Sequence, residues 1–89
     1  MRFGIVGQGS MGKRRVRCLL ANQVPAEQIT VFDTRPDRLQ EAHEKYGVNA
    51  TTDFAALLQQ PALQAILVSV PGFLHMSYCL AAALVWFGS

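Results

Sequence analysis

At 89 residues the chain is one domain at most, and a domain of that size buries a smaller share of its surface than a larger one. With 51% apolar and 16% charged residues it reads as a folded globular sequence, which excludes a disordered one. A net charge of +2, with the cations of residues 13 to 17 followed by acids at 27, 33, 37, 41 and 44, argues against a nucleic-acid-binding face.

Phe3 to Val6 is a short apolar run that ends at Gly7 and predicts a strand. From Gly12 onward Val16, Leu19 and Leu20 fall at helical spacing until Asn22 and Pro25 end the pattern. Ile29 to Phe32, β-branched and aromatic, predicts a second strand that stops at Asp33. Thr34 and Asp37 then stand in capping-box spacing with Pro36 between them, where its missing N–H costs nothing, so a helix is expected there. Leu39, Ala42, His43 and Tyr46 mark the inner face of that helix, and Gly47 suits the left-handed position after its end.

Val48 to Thr51 predicts a short third strand. Thr52 is the expected cap of a helix whose inner face is Phe54, Leu57 and Leu58, with Pro61 just past its end. Ala65 to Val70 is apolar without alternation, the pattern of a central parallel strand covered on both faces. The stretch "PGFLH" predicts a turn, and residues 74 to 86 a last helix. Strands alternating with helices imply parallel pairing through right-handed crossovers, so the expected class is α/β, with a Rossmann-like, doubly wound parallel sheet. The sheet is expected to be incomplete, with about four strands.

Within that frame Gly7, Gly9 and Gly12 form a Gly-x-Gly-x-x-Gly spacing between the first strand and the first helix, and Asp33 follows Gly12 by 21 positions at the end of the second strand. Each glycine then has a task in dinucleotide binding: Gly7 permits the tight turn, Gly9 lets a pyrophosphate approach the backbone, and Gly12 lets helix and strand pack closely. The N–H groups at the helix start, at the positive end of its dipole, would hold the phosphates. A glycine turn that binds nothing and an Asp33 that merely caps a helix are the competing structural readings. A methyltransferase also follows a glycine turn with an acid after the second strand, but the three-glycine spacing and the Pro71-to-His75 turn speak against it.

Lys13, Arg14, Arg15 and Arg17 fit a solvated face better than a phosphate site, and Tyr46, Tyr78 and Trp86 fit packing. Cys18 and Cys79, in neither metal nor redox spacing, are expected to be small buried side chains in a reducing compartment. The start of the chain has no signal-peptide pattern, and the apolar run of residues 79 to 87 is about half of a bilayer crossing, so a cytoplasmic location is expected.

The segments "FGIVGQGSMGKRRVRCL", "VFDTRPDR", "YGVNATTDFAALLQQPALQAILVSVP" and "PGFLHMSYCLAA" together resemble the N-terminal half of the glucose-fructose oxidoreductase, inositol dehydrogenase and rhizopine-catabolism (Gfo/Idh/MocA) family, over residues 3 to about 82. The resemblance implies an NAD(P)-dependent oxidoreductase of a sugar, polyol or related substrate, with a Rossmann domain and a second, α+β substrate domain. Carried over, Gly7, Gly9, Ser10, Met11 and Gly12 line the phosphate turn, Asp33 meets the adenosine ribose, and Val70, Pro71 and His75 lie near the nicotinamide side. The carboxylate of Asp33 favours NAD over NADP, while Arg35, two residues on, is able to pair with a 2′-phosphate and so keeps NADP possible. His75 is as well suited to a surface or capping role.

Arg15 stands where members often have histidine, and Gly72 where asparagine is frequent. The sequence also stops before the Glu-Lys-Pro motif whose lysine serves the family's chemistry. The expectation is therefore a partial NAD(P)-binding Rossmann domain over residues 1–89, with the substrate domain absent and no hydride transfer by the chain alone. A non-catalytic NAD(H)-binding regulatory module would need the same pocket. The expected partners are the dinucleotide and, through uncovered apolar surface around Leu80, Leu84, Val85 and Trp86, further copies of the chain in a homo-oligomer, with neither nucleic acid nor membrane.

Overall fold

The computed structural model describes residues 2–60 and 63–68. Its elements follow the alternation expected: β1 (Arg2–Val6), α1 (Ser10–Ala21), a 3-10 turn (Ala26–Gln28), β2 (Ile29–Phe32), α2 (Pro36–Tyr46), β3 (Asn49–Thr51), α3 (Phe54–Leu58) and β4 (Leu63–Val68). The strands form one parallel sheet in the order β3-β2-β1-β4, with Ile5 beside Val31 and Leu67, and Val6 beside Phe32 and Val68. This is the α/β, Rossmann-like architecture expected from the alternation.

Successive strand residues point to opposite faces, and the two faces carry separate cores. On one, Ile5, Ile29 and Val31 pack with Val16 of α1, with Leu39 and Ala42 of α2 and with Val48. On the other, Val6 and Phe32 pack with Leu57 of α3, and Phe54, Ile66 and Val68 lie against them. β2 is therefore buried along its whole length, and its one polar side chain, Thr30, is satisfied by donating to Gln60 Oε1 at 3.0 Å.

Several local expectations shift. Helix α1 begins at Ser10, ahead of Gly12, because the peptide that follows Gly9 is already helical. Thr34 does not cap α2: the residue before the helix is Arg35, and its N–H is taken by the Asp33 carboxylate, which displaces the start by one residue. Thr52 does not cap α3 either; Asp53 does, accepting the Ala55 N–H at 3.0 Å.

Gly47 is left-handed as expected, with φ 72°, and its N–H closes α2 onto the His43 carbonyl. His43 itself is not on the inner face; its ring Nδ1 lies 2.9 Å from the Val48 carbonyl on the helix flank. Cys18 is exposed rather than buried, because Val16, two residues earlier, faces the sheet and the intervening rotation of about 200° turns Cys18 away from it. Among the described residues β4 borders the sheet and is half-buried, whereas a doubly covered central strand was expected. Its expected end at Ser69 and Val70, Pro61, the turn at Pro71, the last helix and Cys79 lie outside the described residues.

α1 and α2 are also tied through their outer edges. Lys13 Nζ meets Glu41 at 2.8 Å and Arg17 donates to the Tyr46 hydroxyl at 3.3 Å. The Lys13 hydrogen bond holds the Glu41 carboxyl below the usual carboxylate range, and that of Arg17 lowers the Tyr46 phenol.

Candidate functional site

The site is built where β1 and β2 end side by side. Gly7 turns the chain out of β1 with φ 98°, in the left-handed region that disfavours any side chain, and its N–H donates to the Phe32 carbonyl at the end of β2 at 2.7 Å. Gly9 then precedes α1, and the first helical bond runs from Lys13 N–H to the Gly9 carbonyl at 3.0 Å. A Cβ on Gly12 would stand 1.9 Å from the Gly7 carbonyl oxygen, so the first turn of the helix lies directly against the glycine turn only because that atom is missing.

A Cβ on Gly9 would meet nothing closer than the Arg38 guanidinium at 3.8 Å, so space is open above the backbone there. The helix that starts at this point has no side-chain cap and no acidic residue in its first turn. The leading N–H groups of an α-helix have no partner within the helix, and here neither a cap nor an acid replaces one. Ser10 and Met11 are exposed at this end, Met11 to 48%. An uncapped, acid-free helix start above a glycine cradle fits the pyrophosphate of a dinucleotide.

Asp33 closes the other side. Its carboxylate is buried, accepts the Gln8 N–H at 2.8 Å on one oxygen and the Arg35 N–H at 2.9 Å on the other, and has the Arg38 guanidinium 3.6 Å away. These bonds fix the carboxylate at the mouth of the turn with acceptor positions to spare, which suits a ribose diol. The structure thus brings Gly7, Gly9, Ser10, Met11, Gly12 and Asp33 to one place.

Arg35 is turned elsewhere. It is exposed and holds Asp37 through two hydrogen bonds, at 3.2 and 2.9 Å, which keep the Asp37 carboxyl below its ordinary range. The guanidinium that reaches Asp33 and the space over Gly9 belongs to Arg38. Its spacing of three from Arg35, one helical turn on, was a signal the sequence carried; the buried position of Gln8 had none. Val70, Pro71 and His75 lie outside the described residues. Among the described residues there is no cluster of His, Cys, Asp and Glu able to hold a metal ion, and no helix long and apolar enough to cross a membrane.

A family model described as "Oxidoreductase family, NAD-binding Rossmann fold" (GFO_IDH_MocA) matches residues 1–84. The chain belongs to this family. An inositol 2-dehydrogenase of Renibacterium salmoninarum is 33% identical over 75 residues, which are 84% of this chain and 23% of that protein. Among solved structures, the WlbA dehydrogenase of Bordetella pertussis, in complex with NADH and UDP-GlcNAcA, superposes with a TM-score of 0.82 at 27% identity, covering 96% of this chain and 25% of that one. A probable dehydrogenase of Thermotoga maritima superposes at 0.76 with 30% identity, again over 96% of this chain and 25% of that one. The chain thus spans about a quarter of the length of these relatives.

Proposed function

We propose that the chain is the dinucleotide-binding part of an NAD(H)-dependent oxidoreductase acting on a sugar, polyol or related hydroxyl or carbonyl substrate. The observation that carries this reading is the start of α1: open, acid-free and uncapped above Gly9, beside the buried Asp33 carboxylate. Family membership and the inositol 2-dehydrogenase among its relatives support the class of reaction.

The N–H groups of Ser10, Met11 and Gly12 receive the phosphates, Gly7 and Gly9 shape the turn beneath them, and Asp33 accepts from the adenosine ribose hydroxyls. Val70, Pro71 and His75 take the nicotinamide side. The bound nicotinamide supplies the hydride chemistry, and the residues of this domain bind and orient it. The substrate domain and the lysine of the Glu-Lys-Pro motif belong to a part of the family's length that this sequence does not span.

The Asp33 carboxylate favours NAD(H), since a 2′-phosphate would bring like charge against it. Arg38, 3.6 Å from that carboxylate, is better placed than Arg35 to soften the repulsion.

Calorimetric titration of the full-length protein tests both points. NADH binds the wild type more tightly than NADPH. Gly9→Ala, whose new Cβ stands in open space, lowers the affinity for both by about tenfold while costing the fold less than about 1 kcal/mol. Arg38→Ala weakens NADPH more than NADH. Undiminished binding in Gly9→Ala would refute the placement of the phosphates, and an equal effect of Arg38→Ala on the two cofactors would remove Arg38 from the selection.

A further inference from the structure

Gln8 stands between the first two glycines and has no part in the reading above. Its side chain is wholly buried, with 0% of the residue exposed. Nε2 donates to the Gly7 carbonyl at 2.9 Å and lies 3.0 Å from where a Cβ on Gly12 would be. The main-chain N–H donates to Asp33. Oε1, by contrast, is buried with no hydrogen-bond partner.

That orphan acceptor is unfavourable, because it loses its water and gains nothing in return. Turning the carboxamide over does not cure it: Oε1 would then face the Gly7 carbonyl, acceptor against acceptor, and Nε2 would lose its own bond. Methionine, of similar length and without a polar head, would remove that orphan but leave the Gly7 carbonyl without its donor. A buried amide kept with one acceptor unpaired, its single side-chain hydrogen bond on the Gly7 carbonyl, points to a task at that peptide rather than to packing.

We propose that Gln8 is a positioning residue of the phosphate-binding turn. Its Nε2 holds the Gly7 carbonyl, the same oxygen that would lie 1.9 Å from a Cβ on Gly12, and so fixes the peptide between Gly7 and Gln8 against the first turn of α1. With its main-chain N–H on Asp33, the residue ties the phosphate side and the ribose side of the site into one rigid unit. The helix N–H groups then keep their direction before the dinucleotide arrives, and little ordering is left to binding. The inference rests on the dinucleotide reading above.

The test separates positioning from packing by reading stability and affinity together in the full-length protein, through thermal melting and calorimetric titration of NADH. In Gln8→Met the orphan oxygen disappears along with the bond to Gly7. Its melting temperature is expected to stay close to that of the wild type, because the lost orphan and the lost bond offset each other, while NADH affinity falls about tenfold. In Gln8→Glu a protonated carboxyl can donate to the Gly7 carbonyl and an ionised one cannot, so affinity, relative to wild type at the same pH, recovers as the solution is acidified from about pH 8 to about pH 5. Gln8→Met with wild-type affinity, or with stability and affinity lost together, overturns the proposal, as does a pH-independent deficit in Gln8→Glu. A wild type that binds no NADH overturns the dinucleotide reading and this inference with it; normal wild-type binding with an indifferent Gln8→Met overturns the inference alone.

Discussion

The two long helices begin in opposite ways. α2 opens on Pro36, which has no N–H to satisfy, and carries an acid, Asp37, in its first turn. α1 opens on Gly9 with neither a cap nor an acid. Short α3 goes further and is capped outright, since the Asp53 side chain accepts the Ala55 N–H. The three helices among the described residues all follow strands of the same sheet, yet two bring an acid or a cap to their N-terminus and α1 has neither. A helix start becomes an anion site through what is withheld from it as much as through the dipole that every helix has.

The largest effect should come from closing the space that lets α1 approach the turn. Gly12→Ala places a Cβ against a backbone oxygen with no freedom to yield, and the turn must move. The expected loss is about 3 kcal/mol, on the order of 15 °C in melting temperature for a domain of this size, with NADH binding abolished. A variant that melts like the wild type would show the contact between helix and turn to be soft.

Ser10→Asp makes α1 resemble α2. A carboxylate in the first turn stabilises the helix by about 0.5 kcal/mol but repels the pyrophosphate, so NADH affinity should drop by about tenfold or more at unchanged or higher melting temperature. Affinity that survives this change would mean the phosphates sit elsewhere. Asp53→Ala is the converse: removing the cap of α3 costs about 1 kcal/mol and should leave the titration with NADH untouched, because in the wild type that helix start is already closed by its own side chain.

The smallest effect is in the acid range. Lys13 lowers the pKa of Glu41 in the folded chain, and Arg35 that of Asp37. A carboxyl with a depressed folded pKa favours folding at pH values above its unfolded pKa, and that contribution fades as pH falls through the folded one. Melting curves of Glu41→Gln should therefore match those of wild type at low pH and separate from them only slightly toward neutral pH, since the pair is exposed. A large separation would mean that the tie between α1 and α2 bears on the fold more than surface ion pairs ordinarily do.

The fold was readable because its signals are local and repeated. Ile29 to Phe32, Leu39 with Ala42, and Gly47 each state their element within a few residues, and the alternation of strand and helix leaves parallel pairing as the consistent arrangement. Capping was readable only to within a residue. Thr34 and Thr52 have the right chemistry, but each is followed or preceded by an aspartate, and it was Asp33 and Asp53 that took the N–H groups. A carboxylate is the stronger acceptor, and spacing alone does not rank two adjacent acceptors.

By itself, the sequence determined the order of the elements, the three glycines between β1 and α1, and an acid at the end of β2, because backbone freedom, hydrophobic period and chain distance are properties of neighbouring residues. Only the tertiary structure decided that Cys18 faces outward and that Gln8 lies buried with an unpaired oxygen and its main-chain N–H on Asp33. Gln8 and Asp33 stand 25 residues apart, and the hydrogen bond between them exists only once β1 and β2 lie side by side. Contacts between groups far apart in sequence are set by the packing that closes the gap between them.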